Sequence, residues 1–160
     1  MPETILEHTR DRLQILCPSK ARILVATSGG PDSQCLLDIL ARLQKTCGII
    51  KLVACGINHG LREEADDELR LAEQLAKQYS LPFVYHRLTL SNRGNLLAEA
   101  RRQRYKALST IAQRYQCNYI AIGHTATDQV ETVLFHLSRG AGMRGAAGIP
   151  SKRGAIIRPL

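Results

Sequence analysis

The chain contains no tryptophan, and aromatic residues make up only 4% of it. Stacking of bare nucleobases on aromatic side chains would rest on very few positions. No two cysteines have the C-x-x-C spacing, and no second Cys/His pair completes a zinc site. The five cysteines (Cys17, Cys35, Cys47, Cys55 and Cys117) are odd in number and mostly lie in apolar runs. They read as buried free thiols in a reducing compartment. No apolar run nears the length of a membrane span, and no basic-then-apolar leader opens the chain. The expectation is a soluble, cytoplasmic protein with no membrane partner. A Walker A loop is excluded too, because no G-K-S/T signature occurs.

What is present is enough for a folded domain. The 160 residues are 44% hydrophobic, sufficient for a real core. The formal net charge is +8, which suits either an ordinary basic surface or a polyanionic partner such as nucleic acid. Charge alone leaves both open.

Apolar periodicity alternates along the chain. The segment 3–16 reads as an amphipathic helix. Strands are predicted over 22–27, 51–57, 83–89 and 119–123, with another beginning at 155. Helices are predicted over 32–45, 63–79, 95–115 and 128–138. On the third, Leu69, Ala72, Ala76 and Tyr79 share a face. On the last, Val130, Val133, Leu134 and Leu137 are expected to point inward. The predicted fold is α/β, a doubly wound, mostly parallel sheet with helices on both faces. Ligands in such sheets sit beyond the carboxyl ends of the strands. That selects the loops Ser28–Asp32, Asn58–Glu63, Thr89–Asn95 and His124–Asp128. The chain stops directly after "IIRPL" with nothing to cover that strand, so residues 1–160 are expected to be a single domain cut from a longer enzyme.

The first loop, SGGPDS, leaves a strand and enters a helix. Gly29 and Gly30 allow positive φ and close approach of backbone N–H groups. Pro31 suits the first helical turn. Ser28 and Ser33 carry hydroxyls, and the helix N-terminus favours an anion. Asp32 puts a carboxylate in the same place, which implies a bridging metal such as Mg²⁺ or, more plainly, a helix cap. Farther on, Asp128 and Glu131 share a helical face and could hold one cation, or could simply satisfy the helix dipole. Arg101 and Arg104 share another face, suited to clamping phosphates. Arg102 and Lys106 read equally well as a solvated face. His8, His86 and His136 fall within predicted elements and attract no role.

The string S-G-G-P-D-S after a strand resembles the pyrophosphate loop of the N-type ATP pyrophosphatases. Three later blocks narrow the resemblance. "INHGLREEADDE" (57–68), "NLLAEARRQRY" (95–105) and "GHTATDQVETVLFHLSRGAGMRGAAGIP" (123–150) resemble blocks of the tRNA(Ile)-lysidine synthetases in order and spacing. Three positions depart from that family's pattern: Asn58 stands for Asp, Thr125 for His and Thr127 for Asp.

The resemblance implies a ligase that adenylates the wobble cytidine of the CAU-anticodon isoleucine tRNA. Free L-lysine is then joined to that base, releasing AMP and pyrophosphate. ATP and Mg²⁺ are the implied cofactors; tRNA and L-lysine are the partners, and a homodimer is left open. The implied catalytic residues are Asp32, Arg104, His124, Asp128 and Glu131. Ser28, Gly29, Gly30, Pro31, Asp32 and Ser33 would bind ATP, with Asp32 at the metal. His59, Arg62, Arg101 and Arg139 are secondary substrate candidates. The "GAGMRG" run (140–145) follows a predicted helix rather than a strand. It therefore reads as a glycine-rich loop over the site, or a flexible connection, and not as a dinucleotide fingerprint. In the loop reading, Arg139 and Arg144 face phosphates. Two alternatives stay open: a tRNA sulfur transferase of the same superfamily, and a nucleotide-binding module without catalysis.

Overall fold

The computed structural model describes residues 4–17, 20–58, 65–89, 96–140 and 148–160. His59, Arg62, the loop at 90–95 and positions 141–147, with Arg144, lie outside the described residues.

Eleven elements follow in order: α1 (Ile5–Leu16), β1 (Ala21–Thr27), α2 (Pro31–Leu43), β2 (Ile49–Asn58), α3 (Ala65–Gln78), β3 (Phe83–Arg87), α4 (Leu96–Arg114), β4 (Tyr119–Ile122), α5 (Ala126–Ser138), β5 (Lys152–Arg153) and β6 (Ile156–Ile157). The strands form a six-stranded sheet in the order β3-β2-β1-β4-β6-β5. All neighbours are parallel except the short β5–β6 hairpin. The expected α/β sheet is present, though the predicted final strand is only two residues with a two-residue antiparallel mate.

Alternation along β1 builds two cores. Ile23 and Val25 face one side with Leu36, Leu37 and Leu40 of α2 and Leu13 and Leu16 of α1. Leu24 and Ala26 face the other side, against Leu108, Ile111 and Ala112 of α4. A strand covered on both faces needs apolar residues at successive positions, as "ILVA" supplies. Chain order reverses beside β1: β2 and β3 lie to one side of it, β4 and β6 to the other. The crevice for a ligand in such a sheet opens at that reversal, beyond the carboxyl ends of β1 and β4.

Helix α5 does not follow its predicted pattern. Val130, Leu134 and Leu137 are 57%, 60% and 51% exposed, and only Val133 of the four is half-buried. The apolar spacing is real, but among the described residues little packs against it. The thiols also differ from expectation. Cys17 and Cys55 are buried, Cys47 and Cys117 are partly covered, and Cys35 is exposed on α2. Burial pushes the Cys55 thiol up to about 12 and the Cys17 thiol up to about 11.

Candidate active site

The loop 28–33 joins β1 to α2. Gly29 has φ +84°, and a Cβ there would lie 2.7 Å from the backbone carbonyl carbon of Glu68 on α3. Both the left-handed conformation and the close approach require glycine. Gly30 is the N-cap and offers no side chain to the first turn, while Pro31 occupies its start. The backbone N–H groups of Gly29, Gly30, Asp32 and Ser33 therefore find no acceptor among the described residues. Free N–H groups at a helix N-terminus form an anion site.

Ser33 plays a different part from the one expected of its hydroxyl. Its Oγ donates to the Gly30 carbonyl at 2.8 Å and accepts from the Ser28 N–H at 3.2 Å. The buried hydroxyl holds the loop shut on itself and is not a free donor. Gln34 adds a second clasp, its amide donating to the Gly29 carbonyl. The carboxylate of Asp32 is exposed and has no protein partner among the described residues, so it is not spent as a cap.

The second half of the site lies beside the first. A Cβ on Gly123, just past β4, would stand 3.0 Å from the Asp32 carbonyl oxygen. His124 follows, with its N–H bonded to the Ile122 carbonyl at 3.0 Å. Its Nδ1 is buried without a partner. Burial first, and then the Arg158 guanidinium, hold the His124 imidazole below its usual range. Arg104 and Arg101 push the same way, and Asp128 opposes them. His124 is therefore poised as a neutral ring at neutral pH.

A cleft of about 400 Å³ brings together Arg101, His124, Asp128 and Glu131. The helical spacing of Asp128 and Glu131 thus places both on one wall. Asp128 is also structural: its Oδ2 accepts from the Thr125 N–H at 2.6 Å and the Thr125 hydroxyl at 3.1 Å. Thr125, a departure from the family's histidine, is a good N-cap residue for α5. Gln129 grips the segment beyond, its amide donating to the Ile149 carbonyl and accepting the Ile149 N–H at 2.7 Å.

Arg104 is half-buried with no carboxylate partner among the described residues, and burial draws its pKa down. Arg101 lies over the Tyr105 ring at 5.8 Å. Arg102 pairs with Glu99 at 2.7 Å, the solvated reading of that position. A neighbouring groove of about 720 Å³ is lined by Arg101, Arg102, Tyr105, Arg153 and Arg158, and no carboxylate among the described residues lines it. Arg139 stands apart: it caps the far end of α5 and stacks on Phe135 at 4.4 Å. Eleven residues along the helix put it about 16 Å from Asp128.

Asn58, the other departure, is only 2% exposed at the end of β2. Its Nδ2 donates to Asp66 at 2.6 Å, and Tyr85 donates to the same oxygen at 2.9 Å. The Tyr85 and Asn58 hydrogen bonds hold the Asp66 carboxyl below its usual range. An aspartate at 58 would set two carboxylates against each other.

Arg153, Arg158 and His136 also line the cleft. Sequence reading passed over all three. Arg158 had a usable signal, since it directly follows a parallel strand, where ligand sites gather.

An ATP-binding family model described as the PP-loop domain matches residues 4–160. The chain is 41% identical over 144 residues to the tRNA(Ile)-lysidine synthase of Solibacter usitatus, covering 89% of this chain and 32% of that one. It is 37% identical over 148 residues to the tRNA(Ile)-lysidine synthase of Thermosipho africanus, covering 87% of this chain and 34% of that one. It thus spans about a third of the length of these curated relatives. In fold it is similar to the U34-tRNA thiolase NcsA from Methanococcus maripaludis, with a TM-score of 0.77 at 19% identity over 98% of this chain and 59% of that one. With its glycine loop between β1 and α2 and the family model matched from Thr4 to Leu160, the chain belongs to the PP-loop domain family.

Proposed function

We propose that this chain is the adenylating domain of a tRNA(Ile)-lysidine synthetase. In this reading it joins L-lysine to the wobble cytidine of the CAU-anticodon isoleucine tRNA at the expense of ATP. The observation that carries the reading is the cleft shared by Arg101, His124, Asp128 and Glu131. These residues come from two separate sequence blocks, and His124 directly follows Gly123, which packs against Asp32 of the anion-binding loop. Residues 1–160 act as one domain of the longer protein, and its work on tRNA belongs in the cytoplasm.

The free N–H groups of Gly29, Gly30, Asp32 and Ser33 hold the pyrophosphate end of ATP. No group of three potential metal ligands occurs among the described residues. Asp32, exposed and unpartnered, fits a Mg²⁺ held mostly by phosphate oxygens and water, as that ion prefers. Bound there, Mg²⁺ would neutralise phosphate charge. The cytidine carbonyl oxygen attacks the α-phosphorus, and the bond to the leaving pyrophosphate breaks. Arg104, half-buried and without a counter-ion among the described residues, stabilises the negative charge that develops. Lysine's amine, having lost a proton, then attacks the activated ring carbon, and AMP departs. Asp128 and Glu131 hold the substrate ammonium, and His124, kept neutral, orients phosphate or base. The groove of Arg101, Arg102 and Arg153, lined by no carboxylate among the described residues, suits the tRNA backbone.

The test is release of AMP and pyrophosphate by the complete protein, with lysine and the CAU-anticodon tRNA each omitted in turn. Dependence on both is expected. Asp32→Ala and Glu131→Ala should each cost about 100-fold or more in rate. Undiminished activity in both variants would overturn the site map. Sulfur transfer to tRNA from a thiol donor without lysine dependence would instead make the protein a sulfur transferase. ATP binding without AMP release would make it a nucleotide-binding module.

A further inference from the structure

Arg158 is 6% exposed. Its Nη1 donates to the Pro150 carbonyl at 2.7 Å, and its backbone N–H donates to Ser151 at 2.8 Å. The Nε is buried and donates to nothing among the described residues. No Asp or Glu pairs with this guanidinium among the described residues. A buried cation with one carbonyl for company is costly, and natural folds seldom keep one unless an anion completes it.

The surroundings say which kind of anion. Arg158 faces the cleft of His124, Asp128 and Glu131, together with Arg101 and Arg153. The cleft is thus lined by both guanidiniums and carboxylates. A chain of phosphates offers only negative charge and would meet Asp128 and Glu131 with repulsion. A molecule with both a carboxylate and an ammonium satisfies both kinds of group at once. A cleft of about 400 Å³ has room for a free amino acid.

We propose that Arg158 is the carboxylate-binding residue of this cleft, receiving the α-carboxylate of the amino-acid substrate while Asp128 and Glu131 face its ammonium. This inference rests on the lysine-ligating reading above. It adds a residue at the end of β6 to a site otherwise built on the loop between β1 and α2, on α4, and on the passage from β4 into α5. With Nη1 on the Pro150 carbonyl, the rest of the planar guanidinium is left to meet a carboxylate.

The experiment compares L-lysine, L-lysine amide and 1,5-diaminopentane as acceptors of the adenylated tRNA, using the complete protein and its Arg158→Gln and Arg158→Lys variants. The unaltered protein should favour lysine over both carboxylate-free analogues by about tenfold to a hundredfold in kcat/KM. Arg158→Gln should erase that preference and raise KM for lysine more than KM for ATP. Arg158→Lys keeps the charge but loses the fork, and should retain part of the preference; it also serves if Arg158→Gln does not fold. An unchanged preference in the folded variant overturns the proposal. So does a loss that falls on ATP instead, which would make the bound oxyanion a phosphate. If the unaltered protein ignores lysine altogether, the lysidine reading fails and takes this inference with it. Lysine-dependent AMP release with an indifferent Arg158 removes the inference alone.

Discussion

Helices α2 and α5 both start at the site, yet they are held in opposite ways. α2 buries Ser33, Leu36, Leu37, Ile39, Leu40 and Leu43 beneath the sheet. α5 fully buries none of its residues and leaves Phe135 53% exposed. α2 is fixed by its core, and the anion loop at its head is fixed with it. Among the described residues, α5 is held by side-chain hydrogen bonds at one end, the Thr125–Asp128 cap and the Gln129–Ile149 clasp. The difference teaches that the two halves of one site depend on different forces. The phosphate half rests on hydrophobic packing, and the carboxylate half on a few polar contacts.

Four substitutions would break or sharpen that contrast. The largest effect is expected from Leu37→Ala on α2, about 2–5 kcal/mol in urea unfolding, because the fully buried side chain leaves a cavity. A smaller loss would mean the loop's anchor is not the core. Next comes Asn58→Asp, at about 1–3 kcal/mol at neutral pH. It replaces a donor 2.6 Å from Asp66 with a like charge. One of the two carboxylates would then hold its proton more tightly folded than unfolded, so the loss should shrink as pH falls toward about 4. Urea midpoints at both pH values check this, and a pH-independent loss would contradict it.

Gln129→Ala should cost about 1 kcal/mol, felt locally. Hydrogen exchange should speed up in α5 while α2 stays protected. Equal acceleration in both helices would erase the contrast. The smallest effect belongs to Leu134→Ala, within about 0.5 kcal/mol, since its side chain is 60% exposed. A loss as large as that of Leu37→Ala would show α5 to be packed after all.

Much of the fold was legible in the sequence. Strands such as "RILVAT" are apolar at successive positions because both faces are covered, and that pattern needs no tertiary information. The glycines, proline and aspartate of the loop were legible because each answers a local requirement of backbone or helix end. The spacing of Asp128 and Glu131 put them on one face, and the cleft has both. What sequence could not show was context. The apolar positions of α5 have correct helical spacing, but spacing does not say whether anything covers them. The Ser33 hydroxyl looks like a donor until its partner, the Gly30 carbonyl, is seen. Arg139 belongs to the right block but sits at the far end of the helix, stacked on Phe135.

The sequence by itself determined the alternation of strands and helices, the glycine turn that leaves N–H groups free, and the family, because these depend on residues close in the chain. Only the tertiary structure decided that Arg158, at the far end of the chain, meets His124, and that Asn58 needs Asp66 and Tyr85. Those contacts follow from the order of strands in the sheet, and strand order brings together residues that no local pattern links.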